Sequence, residues 1–165
     1  VIHATGAAGL LALSNDMPRS VGNGVKGQAA LLDFDARNAP QLFVDGLHNV
    51  PHADGTTAIG STSERDYTAP DSTDAQLDAL IEKARAALPE LRNANVIERW
   101  AGLRPRARSR APMLGVHPLY AGEFIANGGF KIGFGMAPKV AQVMADLVLD
   151  GRDRIPEGFK PDASL

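Results

Sequence analysis

The sequence predicts an α+β fold in which an antiparallel sheet carries a flanking helix. Three observations predict it: short apolar runs bounded by turn residues, an Asp54-Gly55 pair between two of those runs, and two segments with apolar residues three to four apart. An Asp-Gly turn joins neighbouring strands antiparallel, because its tight link tolerates positive φ. The three-to-four spacing lays one apolar stripe along a helix, which then packs that face on the sheet.

Taken in order, residues 1–9, VIHATGAAG, read as a strand running into a glycine turn and a short helix. A strand at the first residue, with no methionine ahead of it, leads to the expectation of a segment from a longer protein. Residues 25–34 and 41–50 are apolar runs between turn residues and read as strands. Asp54-Gly55 then turns the chain into a further strand at 56–59. After a polar stretch at 61–71, Ser72 or Thr73 offers a helix cap, with Asp74 in the first turn. Leu77, Leu80, Ile81, Ala84 and Leu88 form that helix's stripe, and Pro89 ends it.

A second strand group is expected at 96–103, 112–115 and 123–126. The last helix is expected to begin near Met136-Ala137-Pro138, with the proline in its first turn. Its stripe is Val140, Val143, Met144, Leu147 and Val148, and Gly151 closes it. The proline-broken tail, 152–165, is expected at the surface.

Composition narrows the function classes. With 44% hydrophobic and 22% charged residues, 165 residues can bury an ordinary core. A net charge of −2 gives no general attraction to nucleic acid. No apolar run approaches the roughly 20 residues that span a bilayer, and no signal peptide opens the chain. Zero cysteines exclude disulfides, thiolate metal sites and a cysteine nucleophile, and favour a cytoplasmic protein.

The chemistry concentrates in two stretches. Trp100-Ala101-Gly102-Leu103-Arg104-Pro105 puts a cation at a strand end, and residues 127–135, NGGFKIGFG, form a glycine-rich loop opening the last helix. Glycines let backbone N–H groups approach a ligand, and a helix start offers free donors with partial positive charge. The same loop also reads as a hairpin turn with packing glycines. Arg104 either pairs with an internal acid or awaits an anion that it grips with two hydrogen bonds. Arg104, Arg106, Arg108 and Arg110 alternate as a basic edge would, but only 5% of residues are aromatic and the chain is acidic, so nucleic acid is not the expected partner. His48 and His52 would share one face of a helix as metal ligands, but Pro51 breaks that geometry; on a strand they would still share a face, and no metal is expected. There is no Gly-x-Ser-x-Gly elbow and no Walker motif. With no evident proton-transfer pair either, no catalytic side chain is assigned, and chemistry borrowed from a cofactor fits that absence.

In order along the chain, VIHATGAAG, VKGQAALL, VPHADGTTAIGSTSERDY, ALPELRNANVIERWAGLRPRARSRAPMLG and ANGGFKIGFGMAPKVAQVMADLVLDG are together similar to one family. They resemble the C-terminal half of the FAD-dependent D-amino acid oxidase family, especially its glycine and sarcosine oxidase branch. The resemblance implies oxidation of an amine or amino acid by hydride transfer to FAD. It also implies an FAD-binding α/β domain assembled from separated parts of the chain, with an antiparallel sheet over the substrate. On that pattern, residues 1–20 are a returning strand and turn of the FAD domain, 21–100 the substrate-binding sheet, and 101–165 the C-terminal part of the FAD domain.

The resemblance gives site residues as well. Arg104 matches the arginine that holds the substrate carboxylate. Gly102, Gly129, Phe130, Lys131, Ile132 and Gly133 match groups that meet the flavin ring, and Thr5 and Gly6 match the turn near its ribityl and phosphate region. His48 stands where relatives often place a carboxylate-binding tyrosine, and Lys131 where the glycine oxidase branch has an arginine, so a different substrate is expected. The family's N-terminal dinucleotide fingerprint and ribose-binding acid lie outside the matched stretches. The expected partners are therefore a small amine or amino acid and the missing N-terminal FAD-binding half, and this segment alone is expected to hold FAD weakly or not at all and to be inactive. The alternative is a ligand-binding or interaction domain that keeps the scaffold without the chemistry.

Overall fold

The structure, a computed structural model, describes residues 1–165 as a mixed α/β fold of two compact units. One comprises Val1–Val25 and Arg104–Leu165, the other Lys26–Leu103. The chain passes between them inside two long strands, β2 (Gly22–Asp33) and β6 (Asn95–Ala107).

In the first unit, β1 (Ile2–His3), β7 (Met113–Val116) and β8 (Phe124–Asn127) form a sheet in the order β1-β8-β7. The β1 strand runs parallel to β8, with Ile2 opposite Phe124, and β7 runs antiparallel to β8, with Met113 opposite Asn127. Side chains alternate across a sheet, so each face recruits its own helix. Met113 and Ile125 pack with Leu10 and Leu13 of α1 (Gly6–Asn15), while Leu114, Phe124 and Ala126 pack with Val143 and Met144 of α3 (Gly133–Asp150). Gly151 closes α3 in the left-handed region at φ 66°, where a side chain would be strained. At the turn from β7 to β8, His3 pairs with Glu123, and His117 stacks on Tyr120 with ring centroids 4.6 Å apart. The His117 Nδ1 accepts the backbone N–H groups of Leu119 and Tyr120 at 3.2 and 3.3 Å.

The second unit is built on a five-stranded sheet, β3-β4-β5-β2-β6, adding β3 (Leu42–Val44), β4 (Leu47–Pro51) and β5 (Thr57–Gly60). Helix α2 (Ala75–Ala87) lays Leu77, Ile81 and Ala84 against Ala30, Leu32, Leu47 and Ile59. Burying each large aliphatic side chain there stabilises the unit by about 1.5–3 kcal/mol. Beside this core lies a charged cluster: Lys26 Nζ sits 3.6 Å from both Glu64 and Asp74, and Gln28 Nε2 donates to the same two carboxylates.

Five local expectations are corrected. Residues 41–50 are not one strand but a hairpin, because Asp45 and Gly46 take φ of 49° and 79° and reverse the chain between β3 and β4. The α2 cap is Asp74, whose carboxylate accepts the Gln76 N–H at 2.9 Å, rather than Ser72 or Thr73. Helix α3 begins at Gly133, three residues before Met136, so Pro138 lies beyond the first turn. The strand expected at 96–103 runs on to Ala107, so Arg104 lies inside β6 rather than at its end. The 152–165 tail is partly internal, because Ile155 joins the α3 core and the buried Ser164 hydroxyl accepts the Ser109 N–H at 3.1 Å.

Candidate functional site

The first unit carries a cleft of about 430 Å³ where the parallel strands β1 and β8 end. Carboxyl ends of parallel strands are where an α/β sheet leaves room for ligands, since the chain must turn away there into helices. The β1 side contributes the turn at Ala4 and Gly6, the β8 side Asn127, Gly128 and Gly129, and α3 its first turns.

The walls are apolar, and Asn127 is the only polar side chain among the lining residues, none of which is charged. Both ends of its amide are engaged: Nδ2 donates to the Gly6 oxygen at 2.9 Å, and Oδ1 accepts the Gly128 N–H at 2.7 Å. One side chain thus ties the two strand ends together. Sequence reading passed over Asn127, taking it as a turn residue; its signal was an amide immediately ahead of two glycines.

The loop into α3 is held by β6. Phe130 N–H donates to the Pro105 oxygen at 2.9 Å, and Arg106 bridges to Gly129. Gly128 requires its identity twice over, since φ is +76° and a Cβ would lie 2.8 Å from the Ala107 Cβ. Phe130 itself adopts φ 44°, a strained value for an aromatic residue, and its ring receives the Arg106 guanidinium at 5.8 Å and the Lys131 ammonium at 5.6 Å.

Helix α3 has no side-chain cap and no acid in its first turn. Its leading N–H groups therefore keep their partial positive charge for whatever enters the cleft. Beside apolar, uncharged walls such donors act more strongly than in bulk water.

Of the residues singled out from sequence, Gly6, Gly129 and Gly133 line this cleft. Thr5 opens α1 without a side-chain capping bond and folds its hydroxyl over Gly9, where an added Cβ would fall 1.7 Å from Oγ1. Lys131 and Ile132 are exposed and Phe130 is half-buried. Arg104 is half-buried, and on its strand it shares a side with Arg106 while Pro105 faces the cleft. Gly102 and His48 belong to the second unit. Gly102 is exposed with open space where a Cβ would be. His48 lies on the sheet face away from α2, with Gln41 Nε2 at 3.3 Å and the Phe43 ring at 4.5 Å. His52 contacts Thr56 Oγ1 instead, at 3.2 Å.

One string escaped sequence reading. Gly22-Asn23-Gly24-Val25-Lys26-Gly27 has the literal spacing of a dinucleotide fingerprint, but it is extended inside β2 and opens no helix. It therefore builds no phosphate turn.

A family model described as FAD dependent oxidoreductase matches residues 1–147. The glycine oxidase of Pseudomonas aeruginosa is 33% identical over 144 residues, spanning 86% of this chain and 39% of that protein. That of Pseudomonas putida is 32% identical over 162 residues, or 93% and 44%. Among solved structures, glycine oxidase from Geobacillus kaustophilus aligns with a TM-score of 0.82 at 25% identity, over 97% of this chain and 44% of the other. Iminodiacetate oxidase from Chelativorans sp. BNC1 gives 0.81 at 26% identity, over 97% and 45%. The chain spans about two fifths of the length of these curated relatives.

Proposed function

The chain belongs to the FAD-dependent oxidoreductase family, and from that premise we propose that it supplies the flavin-ring and substrate side of an oxidase acting on a small amino acid or amine. The observation that carries this reading is the uncapped start of α3 above Gly129 and Gly133, opening on an uncharged cleft at the ends of β1 and β8. A flat heteroaromatic ring fits there: glycines give it backbone contact, apolar walls exclude water, and free amides face its electron-rich carbonyl edge.

When bound, the flavin supplies a two-electron acceptor for the hydride leaving the substrate carbon that bears nitrogen. The chain's own part is to bind, orient and stabilise. The amides from Gly129 to the first turn of α3 favour the negative charge that grows on reduction, and they cost no reorganisation because Asn127 and Pro105 already fix the loop. Arg104 holds the substrate carboxylate through two parallel hydrogen bonds, which fixes the reacting carbon without taking or giving a proton. His48, on the sheet face opposite α2, and Lys131, exposed beside Phe130, are further substrate contacts in this reading. Thr5 and Gly6 steady the ribityl end, and Gly102, Phe130 and Ile132 complete the cofactor surroundings. The residues named fit the ring end of FAD; the adenine end is assigned to an N-terminal half that acts as partner to this segment.

The test is a panel of glycine, sarcosine, D-amino acids and simple amines added anaerobically to the complete protein, read as loss of flavin absorbance. Bleaching by a carboxylate-bearing amine supports the oxidase. Retained flavin that no member of the panel bleaches favours the non-enzymatic ligand-binding alternative.

A further inference from the structure

Four arginines alternate through residues 104–110, and the proposed oxidase uses only the first of them. Arg106 and Arg108 line a second cleft of the first unit, about 340 Å³ in volume, together with Ser20, Gly22, Asn23 and Ala107. It shares no lining residue with the cleft at the ends of β1 and β8. Its frame is tied together twice: the Arg108 N–H donates to the Val21 oxygen at 2.8 Å, and the Ser20 hydroxyl donates to the Gly22 oxygen at 3.0 Å.

The donors around this cleft are unspent. The side chains of Asn23, Arg106 and Arg108 make no hydrogen bond and no ion pair within the chain, and no carboxylate lines the cleft with them. Arg106 is half-buried, and its one side-chain contact of note is the Phe130 ring, 5.8 Å from the guanidinium carbon. A guanidinium attracted to an aromatic face keeps its in-plane N–H groups for another partner. Two cations gathered in one small cleft repel each other, and an anion between them removes that cost.

We propose that this cleft binds a phosphoryl dianion, either free or as the head of a small phosphomonoester. Residues two apart on a strand lie on one side of it, about 6.5 Å from each other, so Arg106 and Arg108 flank a single group. A phosphoryl group presents three acceptor oxygens and close to two negative charges, which is enough to fill both guanidinium forks at once. A carboxylate has a single two-oxygen edge and fills one fork only. Asn23, on β2, adds a neutral donor.

The experiment titrates inorganic phosphate, glycerol 3-phosphate and succinate into the complete flavin-loaded protein by calorimetry, at about pH 8 where the phosphoryl group is a dianion and at constant ionic strength, while the flavin spectrum is recorded. The better of the two phosphoryl compounds is expected to bind saturably, about tenfold tighter than succinate, with the flavin spectrum unchanged. Tighter binding of glycerol 3-phosphate than of phosphate identifies a phosphorylated small molecule as the occupant, and equal or weaker binding identifies the free anion. Arg106→Gln and Arg108→Gln should each weaken the affinity about tenfold or more, whereas Arg110→Gln, outside the cleft, should leave it unchanged. Arg108 is exposed, so its variant keeps the test intact should Arg106→Gln disturb Phe130. No saturable binding, succinate binding as tightly, equal losses in all three variants, or phosphate that releases the flavin would each overturn the proposal. An oligonucleotide that binds where neither small phosphoryl compound does would overturn it too. None of these readouts depends on turnover, so the oxidase reading stands or falls separately.

Discussion

The side-chain amide of Asn127 donates to the backbone oxygen of Gly6, 121 positions earlier, at 2.9 Å. With its other end on Gly128 N–H, it fixes the floor of the cleft from both strands at once. Asn127→Ala leaves the buried Gly128 N–H without a partner and takes from the part-buried Gly6 carbonyl its bond across to β8. The expected loss is about 2 kcal/mol, or a melting temperature lower by about 4–8 °C. Calorimetric melting of the variant checks this, and an unchanged midpoint would show that the tie contributes nothing.

Arg104→Ala in the complete protein is expected to lower kcat/KM by about 30- to 1000-fold, the equivalent of about 2–4 kcal/mol of lost carboxylate clamping. Flavin content should stay the same, because the proposed role of the residue is toward the substrate alone. Arg104→Lys should recover only part of the activity, as an ammonium cannot reproduce the paired geometry. Steady-state kinetics alongside the ratio of flavin to protein absorbance decide it.

Residues 1–165 expressed by themselves should leave a gel-filtration column colourless and without turnover. The cleft has no cation for the pyrophosphate, and the one glycine string of suitable spacing is locked into β2. A yellow protein peak would contradict this.

Acid should weaken the fold in two steps. Burial, with His3 nearby, lowers the pKa of His117, whose Nδ1 is already taken by two backbone donors. The unfolded chain then binds the proton more readily, so this contribution is complete above about pH 6.5 and fades as pH falls below it. The hydrogen bond from His3 likewise lowers the Glu123 pKa, and that share is lost only further down, below the ordinary carboxylate range. Urea midpoints measured from pH 8 to pH 2 should fall in both ranges, and His117→Gln should flatten the upper part of the curve.

Lys26→Met removes the cation from between Glu64 and Asp74 and strands a buried carboxylate. A cost of about 3–5 kcal/mol is expected. Adding Glu64→Gln should restore more than half of it, since the neutral amide oxygen still accepts from Gln28 and Thr62, and the Gln76 amide can turn over to accept from the new NH2. Denaturant unfolding of the two singles and the double gives the coupling; additive losses would mean that the charges do not interact.

Periodicity disclosed the helices and most strands because one face of each element is buried: Leu77, Ile81 and Ala84 mark α2 on the sequence as they do in the core. Short range hid the rest. Asp45-Gly46 looked like the interior of a strand because apolar residues continue on both sides of it. The glycine loop was visible in the sequence, and at Gly128 only glycine fits, since φ is +76° and a Cβ would collide with Ala107. Asn127 was not, as its value depends on Gly6, and no local pattern encodes a partner so far away. Arg104 drew attention by charge on an apolar strand, but its neighbour Pro105, whose oxygen anchors the loop, carries no side-chain clue to that bond.

The parallel pairing of β1 with β8 sets a timetable for biosynthesis. Ile2 has to wait until Phe124 leaves the ribosome before it can pair with β8, whereas 26–103 is contiguous and can settle first. Throughout that interval Leu10 and Leu13 have neither Met113 nor Ile125 to cover them. Nascent chains stalled before residue 113 should therefore be sticky and rich in chaperone, and release past residue 127 should free them.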